Sequence, residues 1–96
     1  MAVYNLSVEA ANDIASIYEY SIEQFGLKRA GAYMADMQDR FQSLANNPSL
    51  GRDASELVSG IRRFVSDSHV IFYAPTDNGI LVVRVLNQSM DFEQHL

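Results

Sequence analysis

Ile80-Leu81-Val82-Val83-Arg84-Val85-Leu86, continuing as Asn87-Gln88-Ser89-Met90-Asp91, is the stretch around which the chain is organised. The seven residues are too few for an independent helix and, with three valines among them, too β-branched to favour one, so they predict a central strand. Strict alternation sends Leu81, Val83 and Val85 to one face and Ile80, Val82, Arg84 and Leu86 to the other. Both faces therefore need cover. Arg84 is the one charge inside the strand and the first candidate for a functional side chain.

Working outward, His69-Val70-Ile71-Phe72-Tyr73-Ala74 and Ile61-Arg62-Arg63-Phe64-Val65 read as two further strands. Short turn-rich segments, Pro75-Thr76-Asp77-Asn78-Gly79 and Ser66-Asp67-Ser68, separate the three, which makes consecutive strands antiparallel. Upstream, Ser49 to Ser55 is a polar connection. Val3 to Leu6 alternates weakly as a short first strand, and Ser7 has the side chain to cap a helix starting at Val8.

Two helices fill the interval. Over Val8 to Phe25, Ala11, Ile14, Tyr18, Ile22 and Phe25 form one stripe, with Asn12, Asp13, Ser16, Glu19 and Glu23 assigned to the solvent side. Gly26 stops that helix. From Lys28 to Asn46 a stricter seam of Leu27, Ala30, Met34, Met37, Phe41 and Leu44 demands a partner helix, and the short link makes an antiparallel hairpin the economical answer. Pro48 ends the second helix. The expectation is one α+β domain over residues 1–96, a first strand and a two-helix hairpin packed on an antiparallel sheet (β-αα-βββ), with a short helix from the tail Ser89 to Leu96. Only that tail and the long connection are available for the sheet's second face. A protein partner is the other way to cover it.

Composition narrows the function. Twelve acidic against seven basic residues give a net charge of −5, which opposes broad phosphate attraction and direct nucleic-acid binding. There are no cysteines, and His69 and His95 without them make no metal-ligand spacing, so neither metal nor cofactor is expected. The first residues lack a basic or apolar leader and no segment suits a membrane span, which predicts a cytoplasmic protein. Arg62, Arg63, His69, Tyr73 and Arg84 share the small sheet as the most pointed constellation, suited to an anion- or RNA-binding surface. Neighbours on a strand face opposite ways, so Arg62 and Arg63 cannot enter one site together. Pairing of an arginine with Asp67, Asp77 or Asp91 is the structural alternative.

These residues also carry a resemblance. Tyr4-x-Leu6-Ser7, Ala11-x-Asp13-Ile14, Tyr18, Phe25-Gly26, Leu44-Ala45-x-x-Pro48-x-x-Gly51, Ile61-Arg62-Arg63-Phe64, His69-Val70-Ile71-Phe72-Tyr73 and Arg84-Val85-Leu86-Asn87-Gln88-Ser89-Met90-Asp91 resemble the ParE family of the RelE/ParE toxin–antitoxin superfamily. The resemblance implies a toxin that binds and inhibits DNA gyrase without being an enzyme. It also implies a ParD-like antitoxin, with a ribbon-helix-helix half and a tail over the hairpin and sheet edge, in a hetero-oligomer with the toxin. The binding surface it suggests contains Arg62, Arg63, His69, Tyr73, Arg84, Asn87 and Gln88. Ribonuclease members tend to carry His or Tyr just after the last strand, where this chain has Asn87 and Gln88. An asparagine cannot transfer a proton near neutral pH. A ribosome-dependent ribonuclease using Arg62 or Arg63, Arg84 and Tyr73 is the alternative. Asn87 also departs from the Arg-Val-Leu-His-Gln run common in ParE sequences, which opens a further reading, a weakly toxic homologue acting mainly through complex assembly.

Overall fold

A computed structural model describes residues 1–96. Its elements are β1 (Val3–Leu6), α1 (Val8–Phe25), α2 (Leu27–Asn46), a 3₁₀ turn (Pro48–Leu50), β2 (Arg52–Asp53), β3 (Arg62–Ser66), β4 (His69–Thr76), β5 (Gly79–Asn87) and α3 (Phe92–His95). They form one five-stranded sheet in the order β1-β5-β4-β3-β2 under a helical hairpin. The sheet is mixed. β2 to β5 alternate antiparallel, as the short turns predict, whereas β1 lies parallel to β5. The hairpin returns the chain to the sheet opposite to β1, and three further reversals bring β5 back into β1's direction. The two-residue β2 falls in the connection that reads as merely polar.

Helix α1 begins where Ser7 Oγ accepts the amide of Ala10 at 3.0 Å. It ends at Gly26, whose positive φ of 87° suits a residue without a Cβ. Its inner line is displaced by one residue from the expected stripe. Ala10 and Ser21 are buried and Ile14 and Ile17 pack on the core, while Ala11 and Phe25 are exposed. The two apolar lines differ little in hydrophobicity, and packing against the sheet selects between them. In α2 the expected seam holds at Ala30, Met37, Phe41 and Leu44, with Ala45 added, whereas Leu27 lies exposed at the hairpin tip.

Between Phe72 and Tyr73 the register against β5 slips by one residue: Tyr73 faces Val82 and Phe72 faces Arg84, leaving Val83 as a bulge. Strict alternation is therefore broken. Ile80, Val82 and Val85 all join Ile71, Tyr73, Met37, Phe41 and Leu44 beneath the helices. Leu86 turns to the opposite face with Val70 and Phe72. That second face is closed by the chain itself: Ala54, Leu57 and Ile61 from the long connection and Phe92 and Leu96 from the tail pack there. Its burial removes the bare apolar face as a reason for a partner. No helix is long and apolar enough to cross a membrane.

Candidate functional site

β1 stops pairing with β5 at Val82, and β5 runs on for five residues with that edge open. Helix α1 supplies what the missing strand would have. Ser7 Oγ donates to the Val83 carbonyl at 2.7 Å, and an Asp13 carboxylate oxygen accepts the Val85 amide at 3.0 Å. The same carboxylate takes Arg84 in a fork, Nε at 2.7 Å and Nη2 at 2.8 Å, while Arg84 Nη1 donates to the His95 carbonyl at 2.8 Å. These bonds to Asp13 hold the guanidinium above its ordinary pKa. Asp13 is thus no solvent-side residue, and it replaces the expected partners Asp67, Asp77 and Asp91.

The other arginines are also engaged. Arg62 donates to the Gly51 carbonyl through Nε at 3.1 Å and Nη2 at 2.6 Å. Its cross-strand neighbour Tyr73 is fully buried, donating to the Pro48 carbonyl at 2.6 Å and accepting the Gly51 amide at 2.9 Å. Together they pin the connection from α2 to β2. Tyr73 therefore has no surface to offer a partner. Arg63 lies on the other face, 3.3 Å from Glu56. The predicted constellation of basic side chains around Tyr73 is dispersed, because each strand alternates and each cation meets a local acceptor.

What the fold brings together is His69 and Asn87, directly opposite one another on β4 and β5. They line the floor of a cleft of about 300 Å³ between the sheet end and the hairpin tip, walled by Ile17, Tyr20, Ser21, Phe25 and Tyr33. Tyr33 of α2 reaches down to His69, its oxygen 2.6 Å from Nδ1. Burial is the main cause that pushes the imidazole down and the phenol up, against a smaller opposing pull of Asp67 on His69. The pair is therefore held neutral near pH 7 and joined by one hydrogen bond. Asn87 Oδ1 accepts from the amide and hydroxyl of Ser89 at 3.0 and 2.8 Å and closes the strand. Gln88 Nε2 donates to the Asp67 carbonyl at 2.5 Å, tying the β3–β4 turn to the end of β5. The arrangement offers neutral donors, acceptors and aromatic rims. It suits binding better than proton transfer.

Sequence reasoning had Asp13 within a family motif but on the solvent side, and missed Tyr33, Ser21 and the aromatic wall. Tyr33 had a detectable signal, since it is the one bulky residue in the run Ala30-Gly31-Ala32-Tyr33 near the tip. Ser21 had another, a small polar residue on the line through Ala10, Ile14 and Ile17.

Compared with known families, residues 4–92 match the model of the ParE toxin of the type II toxin–antitoxin system parDE. The chain belongs to the ParE toxin family. It is 35% identical over its full length to Toxin ParE1 of Caulobacter vibrioides, covering 99% of that protein. Toxin ParE1 of Mycobacterium tuberculosis is 34% identical over 94 residues, covering 97% of this chain and 96% of the relative. Among solved structures, a chain of the chromosomal ParDE TA system from P. aeruginosa superposes with a TM-score of 0.76 at 18% identity, over 91% of this chain and 96% of the other. That likeness speaks for the fold. The ParE motifs quoted from the sequence thus fall within one continuous family match, which extends from β1 to the start of α3.

Proposed function

We propose that this ParE-family toxin acts by binding and inhibiting DNA gyrase, without catalysing a reaction of its own, and is neutralised by a ParD-like antitoxin. The observation that carries the reading is the family match across residues 4–92. The geometry supports its non-enzymatic form. Cleavage of a phosphodiester needs a base, an acid and charge stabilisation aimed at one centre. Here Arg62 is spent on backbone carbonyls, Arg63 and Arg84 on carboxylates, Tyr73 is buried, and the sheet-end imidazole is bound to Tyr33 beside an amide.

The binding surface proposed is the cleft around His69 and Asn87, with Gln88 at its edge. Arg62 and Tyr73 hold the α2–β2 connection and Arg84 holds Asp13, so none of the three lines that cleft. An antitoxin of the kind that the name of the ParDE system implies would mask such a surface.

Expression of the chain alone, with plasmid supercoiling and messenger integrity followed side by side, tests the reading. Loss of gyrase supercoiling with intact messenger, reversed by co-expressed antitoxin, is expected. Rapid messenger cleavage with normal supercoiling would overturn it, and normal growth with both processes intact would leave complex assembly as the function.

A further inference from the structure

β4 and β5 are joined by Asp77 and Asn78 alone, with Thr76 facing Gly79 across the turn. Asn78 is exposed, and its side chain makes one long hydrogen bond, accepted by Oδ1 from Thr76 Oγ1 at 3.4 Å. Its backbone carbonyl has a different task. It accepts the Val3 amide at 2.9 Å, the bond at which β1 starts to pair with β5. Gly79 then passes so close to Val3 that a Cβ on it would collide with the Val3 carbonyl. The turn is thus open to solvent on its outer side and structural on its inner side.

We propose that Asn78 is a site of spontaneous succinimide formation, and that the isoaspartate produced there releases β1 from β5. The Gly79 nitrogen, losing its proton to solvent, attacks Asn78 Cγ. A nitrogen–carbon bond forms, the Cγ–Nδ2 bond breaks, and ammonia leaves with a proton from water. Water then opens the five-membered imide at either carbonyl, giving aspartate or isoaspartate, so one water is consumed and one ammonia released. A glycine is the residue that makes this attack easiest, because no Cβ shields its nitrogen. The other asparagines precede Leu6, Asp13, Asn47, Pro48 and Gln88, all with a Cβ, and Pro48 has no N–H to lose.

Isoaspartate routes the main chain through the former side chain, adding one methylene between residues 78 and 79. The former backbone carbonyl becomes a free carboxylate beside Asp77. The close passage of Gly79 against Val3 cannot survive that lengthening in register, and the first rung of the β1–β5 ladder is lost.

The full chain, aged at mildly alkaline pH, is labelled with a protein isoaspartyl methyltransferase, mapped by mass spectrometry, and followed by amide hydrogen exchange. Label at residue 78, a one-dalton gain there, and Val3 exchange faster by roughly two- to tenfold, the order of one lost net hydrogen bond, are expected. Asn78→Gln should abolish the label and keep Val3 protected. Absence of label at residue 78, or label there with Val3 exchange unchanged, overturns the proposal.

Discussion

Asp13 and Arg84, 71 residues apart in sequence, meet in a two-pronged ion pair in which neither side chain is more than 20% exposed. The carboxylate also holds the Val85 amide, so it closes a strand edge and neutralises a charge at once. Asp13→Ala leaves both donors without their acceptor. A loss of about 2–4 kcal/mol in urea unfolding is expected, with Asp13→Asn costing less because its oxygen can still accept from the amide.

Arg84→Ala should act in the same way, through stability. The expected result is a lowered melting temperature, with antitoxin affinity measured well below the unfolding transition unchanged. Binding lost at unchanged melting temperature would make Arg84 a contact residue instead.

Tyr73→Phe removes one hydroxyl from a fully buried site and strands the Gly51 amide and Pro48 carbonyl. A cost of about 1–3 kcal/mol is expected. Because the residue has no exposed surface, antitoxin affinity measured well below the unfolding transition should not change.

His69 gives a pH dependence with a definite sign. Its folded pKa lies below the unfolded value of 6.5, so below that pH the unfolded chain binds the proton more readily. Stability is fully present above pH 6.5 and is lost as pH falls below it. His69→Gln should flatten that part of the urea midpoint profile between about pH 7.5 and 5, as seen by subtraction from the parent, while the carboxylate contribution remains.

Phe92 packs edge-on against Phe72, ring centres 5.0 Å apart, as part of the lid on the second core. Phe92→Ala should destabilise by about 1–2 kcal/mol, less than for a fully enclosed ring, and speed amide exchange in the β4–β5 ladder near Leu86.

Much of this architecture is legible in the residues alone, and where it is not the reason is physical. The seam of α2 is read easily because Met37, Phe41 and Leu44 have no competing line. In α1 two apolar lines compete, and only the sheet decides. The bulge at Val83 is invisible in a run of aliphatic residues, since each accepts either face. It matters for the site: counting back from the two-residue turn without it sets His69 opposite Leu86, and the extra residue brings Asn87 there instead. The ion pair of Asp13 escapes a sequence reading because hydrophobic periodicity says nothing about a carboxylate recruited to a strand edge. The family resemblance, by contrast, lies in local motifs and needs no tertiary information.

The parallel pairing of β1 with β5 joins the first strand made during synthesis to the last. Until Gly79 to Val82 have emerged, residues 3–6 have no ladder to enter and the core under the hairpin has no floor. Contacts of such long sequence separation form late and slowly. A growing chain therefore completes its cleft only after Asn87, at the end of β5, has left the ribosome.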